Sequence, residues 1–119
     1  MLNYVQPGTR LTWTNSGSAV SSGDVVVVGE LIGVATGDIA NGESGELAIA
    51  GVFTVPKVSA AVIGVGESVI WDASAGAFDD NAATPATGDV SKCCVAWEAA
   101  GNGDTTVVVK LNVGVGTVA

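Results

Sequence analysis

Short apolar runs, cut repeatedly by glycine, set the pattern of this chain. In "TRLTWT", residues 9–14, Leu11 and Trp13 face one way and Arg10, Thr12 and Thr14 the other. That period of two predicts a half-buried strand. "DVVVV" at 24–28 is continuous rather than alternating, which predicts a short strand covered on both faces. Gly29-Glu30 turns it into "LIGVA" at 31–35, and the two read as a hairpin. A polar connection follows at 36–46, then "LAIAGVFTV" at 47–55, read as one longer strand bent at Gly51 and ended by Pro56. "KVSAAVIGVGE" at 57–67 allows a short helix or an irregular crossover, because its alanines favour helix and Gly64 and Gly66 oppose it.

The second half repeats the first. "GDVVVVGELIGVA" at 23–35 and "GESVIWDASAGAF" at 66–78 share glycine, acid, a β-rich run, a polar break and a second short run, at a constant offset of 43. Each predicts a strand–turn–strand unit. An exposed loop, "DDNAATPATGD" at 79–89, leads to strands "KCCVAWE" at 92–98 and "TTVVVKLN" at 105–112. Alternation places Trp97 with Val95 and Cys93, and Trp13 with Leu11, so both tryptophans are expected in the core. The expected fold is all-β: a small β-barrel or β-sandwich of short strands and hairpins, with at most one or two short helical turns. The expected organisation is an arm at 1–8, a β-rich core at 9–112 and a tail at 113–119. The tail "VGVGTVA" has no charged residue and is expected to lie against something.

Composition narrows the picture. The chain has 119 residues, 48 % apolar but only 5 % aromatic, so valine, alanine, isoleucine and leucine must fill the core. Twelve acids against four bases give a formal charge of −8, which repels nucleic acid and anionic membranes and favours solubility. No apolar leader follows Met1, and no run approaches the roughly 18 residues of a membrane span.

Candidate chemistry is sparse. Histidine is absent, and so are a GxSxG elbow and a phosphate-cradling loop. Asp79-Asp80-Asn81 lacks the spacing of a calcium loop and reads as a solvated turn. Asp72, after Trp71, reads as a turn cap rather than a catalytic acid. The adjacent Cys93 and Cys94 lack the spacer of a CxxC site and read as two half-buried thiols. No catalytic, cofactor or metal site is expected.

In sequence order, "VQPGTRLTWT", "SGDVVVVGELIGVA", "GELAIAGVFTVPK", "GESVIWDASAGAF" and "AWEAAGNGDTTVVVKLN" resemble the capsid cement, or head decoration, proteins of tailed bacteriophages. The resemblance spans about residues 4–112. It implies a non-enzymatic structural protein that binds the major capsid protein on the outer surface of the head as a homotrimer. It would be made in the host cytoplasm and carried on the virion. A recombinase label given to some members would demand the nucleotide-binding loop that this chain lacks. On this reading the arm residues Leu2, Asn3, Tyr4, Val5 and Gln6 are the expected capsid contacts, since their alternation suits an extended strand. The alternative is a β-rich module recognising host glycans, which would display surface tryptophans in a row.

Overall fold

A computed structural model describes residues 2–119; residue 1 of the predicted arm lies outside the described part. The fold is all-β, with no helix among the described residues. Its strands are β1 (Arg10–Thr14), β2 (Val25–Val28), β3 (Leu31–Ala35), β4 (Ser44–Ala48), β5 (Val52–Pro56), β6 (Ser68–Asp72), β7 (Ala77–Asp79), β8 (Val90–Ala96), β9 (Thr106–Lys110) and β10 (Thr117–Val118). They build two antiparallel sheets, ordered β1-β4-β3-β2 and β5-β9-β8-β6-β7, with β10 beside β8. The arrangement is sandwich-like. One bridge, Lys57 to Phe78, brings the ends of the second sheet together without a closing ladder.

The two repeated phrases form the predicted hairpins, β2–β3 and β6–β7. The four valines of β2 divide between two clusters, as a run covered on both faces requires. Val25 and Val27 pack on the main core with Ile32, Val34, Phe78 and Val109. Val26 and Val28 pack on a smaller one around Ala35, Ile39 and Leu47, with Trp13 and Val20. Loops 15–23 and 36–43 meet over that smaller cluster through a Val20–Ile39 bridge.

The stretch at 47–55 is not one strand. β4 ends at Ala48 in the first sheet and β5 begins at Val52 in the second. Gly51, at φ 119°, makes the crossing in a backbone region that L side chains rarely adopt. The β3–β4 ladder therefore stops after Val34↔Ala48, and the backbone of Ile32 loses the partner that its register promised. The Asn112 side chain takes that place. Its amide nitrogen donates to the carbonyls of Ile32 (2.7 Å) and Ile49 (2.7 Å). Its oxygen accepts from the Ile32 amide (3.0 Å) and the Cys93 thiol (2.9 Å). Two donors and two acceptor sites are all the amide has, and all are used.

The segment 57–67 before β6 is neither helix nor free loop. Lys57 is only 4 % exposed, and its ammonium donates to the carbonyls of Val58 (2.7 Å), Ser59 (3.1 Å) and Ala61 (2.6 Å). Three donors meeting three carbonyls satisfy the buried charge and shape 58–61 around it. This defeats the helical option: those carbonyls point at the ammonium, not along a helix axis.

One turn recurs five times, more often than the sequence repeat reveals. In Ser21–Asp24, Ala40–Glu43, Gly64–Glu67, Ala86–Asp89 and Gly101–Asp104, the last amide bonds the first carbonyl. In each, the third residue is glycine with φ between 79° and 95°, the arrangement of a type II turn. In each, the closing carboxylate accepts from the backbone N–H of the first residue. Four of the residues preceding these turns pair with one another, Val20 with Ile39 and Ile63 with Ala100. The tail also docks: β10 pairs with β8, and the Gly116 amide donates to the Glu30 carbonyl at 3.1 Å.

Asn112→Ala should leave three backbone groups at the sheet junction without partners. The expected loss is roughly 2–4 kcal/mol in denaturant unfolding. Removing the exposed Arg10–Glu46 pair (3.3 Å) by Arg10→Ala should cost under about 1 kcal/mol.

Candidate functional site

The ionisable side chains are mostly occupied with their own backbone. Beyond the five turn carboxylates, Asp38 accepts from the Ser22 amide, Asp79 from Asp80 and Asp80 from Ala82. The run at 79–81 is thus a turn, and Glu67 adds a bond from the Asn81 amide. Asp89 is only 5 % exposed because its two oxygens serve two segments, the Ala73 and Ala86 amides. Among the described residues, no group of three or more His, Cys, Asp or Glu side chains converges as metal ligands would.

Asp72 acts as the turn cap that its position suggested. Its Oδ1 accepts from the Ser74 hydroxyl (2.8 Å) and from the amides of Ser74 and Ala75 (both 3.1 Å). The Ser74 hydroxyl first, then these amides, hold its carboxyl below the usual carboxylate range. The adjacent cysteines are free thiols, but not half-buried as expected: both are fully covered. The tail explains the difference. Gly116 sits so close that an added Cβ would lie 3.4 Å from Cys93 Cβ and 2.6 Å from Val90 Cγ1. Hydrogen bonding to Cys93 and burial push the Cys94 thiol up, which suits an inert core residue rather than a reactive one.

The tryptophans take three different positions. Trp71 is the core ring, 8 % exposed, and packs edge-to-face on Phe78 with centroids 5.0 Å apart. Trp13 is half-buried in the smaller cluster. Trp97 corrects the expectation of a core residue, since it is 53 % exposed. β8 ends at Ala96, so the alternation that placed Trp97 with Val95 and Cys93 does not reach it. Its ring lies on the surface with Lys110 Nζ 5.8 Å from the centroid, a cation–π contact. A single exposed ring offers no row of tryptophans for a glycan.

The predicted contact residues Leu2, Asn3, Tyr4, Val5 and Gln6 are all exposed, and Leu2, Tyr4 and Val5 rank among the most exposed large apolar side chains. No strand includes them. The fold accounts for this. The β1–β4 pairing continues only as far as the bond from the Ile49 amide to the Thr9 carbonyl, after which β4's chain leaves for the other sheet. Among the described residues the arm pairs with no strand. Sequence reasoning missed Val62 and Val65, exposed beside the Gly66–Ala96 hydrogen bond. It also missed a shallow depression of about 380 Å³ bounded by Glu98 and Asp104. No motif marks either, because both come from loops that meet only in the fold.

The described residues thus form an all-β body with most carboxylates engaged in turns and an exposed arm that carries Leu2, Tyr4 and Val5. Residues 5–111 match the profile of the phage cement proteins, and the chain belongs to that family, whose members are structural components of the phage capsid. A search among curated proteins finds no significant match.

Trp71→Ala should cost about 3–5 kcal/mol in denaturant unfolding, whereas Trp97→Ala should cost no more than roughly 1 kcal/mol. In a carbon-13 NMR titration, Asp72 should titrate below the ordinary carboxylate range, and Ser74→Ala should move it upward. The sign follows from the lowered folded-state value. This turn's contribution is complete above the ordinary carboxylate pKa and is lost as pH falls through the lowered one.

Proposed function

We propose that the protein coats the outer surface of a tailed-phage head, binds the major capsid protein there as a homotrimer, and holds the shell together. It is made in the host cytoplasm and ends on the virion. Family membership supports the capsid role. The observation that carries the finer reading is the arm, where Leu2, Tyr4 and Val5 stand exposed among polar residues and pair with no strand among the described residues. An extended segment of this kind can add a strand to an exposed edge of the capsid protein, with backbone hydrogen bonds supplying affinity and Leu2, Tyr4 and Val5 supplying apolar contact.

Stabilisation then follows from mass action. A protein that binds only the assembled shell stabilises it by about 2.7 kcal/mol per site at one hundred times its dissociation constant. Many weak sites together resist the pressure of packaged DNA.

Deleting residues 2–6 should weaken binding to heads and lower the temperature at which decorated heads break. Equal binding and protection by the deleted protein would remove the arm from the account. Wild-type protein that neither binds heads nor raises their disruption temperature would remove the coating role itself.

A further inference from the structure

The first sheet ends in two open edges, β1 on one side and β2 on the other. Among the described residues, no backbone hydrogen bond outside the β2–β3 ladder involves Val25–Val28, and β1 pairs with β4 alone. Neither edge carries a proline or a bulge, the usual defences of an exposed strand. The β2 edge is four consecutive valines, each still partly exposed. Such an edge is a template for another strand.

We infer that β1 of one copy pairs with β2 of a second copy, antiparallel, so that the first sheet runs on from one molecule to the next. The directions already agree: three successive antiparallel pairings, β1 to β4 to β3 to β2, leave β1 and β2 antiparallel within one sheet. The faces then allow only alternate registers, and one of these sets all four residues of β2 against β1. Leu11 and Trp13 share a face with Leu47, and so do Ala35, Gly33, Val26 and Val28. Directly opposed residues of an antiparallel pair share a face. Leu11 therefore lies against Val28 of the second copy, Thr12 against Val27 and Trp13 against Val26. A slip of one residue would put Trp13 on the wrong face. Aromatic and aliphatic side chains meeting β-branched ones are favourable cross-strand pairs.

Charge agrees with this register. Arg10, which pairs with Glu46 on its own sheet, falls opposite Gly29 of the second copy, beside Glu30. Glu30 is exposed and its carboxylate makes no hydrogen bond or ion pair among the described residues. Like-with-like pairing is poorer. β2 on β2 leaves β1 open, and β1 on β1 leaves the valine edge open. Only β1 on β2 covers both, and such a head-to-tail contact makes a ring where its rotation closes. The inference thus deepens the trimer reading above and rests on it for the closed ring, but the contact itself needs no shell.

The test uses two full-length single variants, Thr12→Cys and Val27→Cys, and a short bismaleimide. The native Cys93 and Cys94 are buried and stay silent in the folded protein. Mixing the variants in solution should give roughly ten times more cross-linked dimer than either alone, because the opposed pair is formed only between unlike variants. Equal cross-linking by Thr12→Cys alone would show β1 on β1 and overturn the inference. So would the absence of cross-linking when both thiols react with a monofunctional maleimide. If Val27→Cys fails to fold, Thr14→Cys with Val25→Cys tests the same register. Absent cross-linking together with normal head binding sinks this contact alone and leaves the coating role standing.

Discussion

The carboxamide of Asn112 is the hinge pin of the molecule. A chain that builds two sheets must cross between them, and at each crossing backbone groups lose the partners a continuous ladder would give. Buried without partners, such groups cost more than most side chains contribute. Where β4 departs, one side chain answers for Ile32 and Ile49 and reaches Cys93 on β8. It therefore ties β3, the crossing and the second sheet at one point. Lys57 and Asp89 do comparable work elsewhere, each serving several backbone groups from a buried position. A fold without helices has many such junctions, and no buried polar side-chain atom among the described residues is left without a partner.

The acidic character acquires a second meaning. A charge of −8 invites an explanation in solubility. The structure assigns most carboxylates to backbone amides first, five of them at the entry to β2, β4, β6, β8 and the segment before β9. Each fixes the turn that launches a strand. Carboxylates suit this because an ionised oxygen accepts more strongly than a neutral one. Placed in turns they also remain near water, which lowers the cost of carrying charge. The glycine before each acid is equally necessary, since the turn demands positive φ there.

Local pattern made much of the fold legible. The two hairpins, the all-β class, the Asp72 cap and a docked tail follow from periodicity, turn residues and absence of charge. The misses share a different cause. Gly51 reads as a bend within one strand, because nothing in "LAIAGVFTV" says that its halves belong to different sheets. Trp97 was placed by extending an alternation one residue beyond its strand. The role of Asn112 depends on residues 80 positions away, and that of Lys57 on carbonyls that carry no sequence mark. The five turns were visible as glycine followed by an acid, but only two copies lay in phrases long enough to compare. That Leu2–Gln6 are exposed depends on where β4 turns away from β1, which no pattern in the arm itself marks.

That remote position of Asn112 governs when the molecule can form. Ile32 emerges early from the ribosome and its side-chain partner emerges late. β5 waits likewise for β9, with Val52 opposite Lys110, and Glu30 waits for Gly116. Closing such large loops costs entropy before any contact rewards it, so folding is slow and held back to the end of synthesis. Until then the valine-rich hairpin stands uncovered, a window in which nascent chains are most prone to join one another. The acidic side chains spread along the same chain repel one nascent copy from another, a counterweight already present in the unfolded molecule.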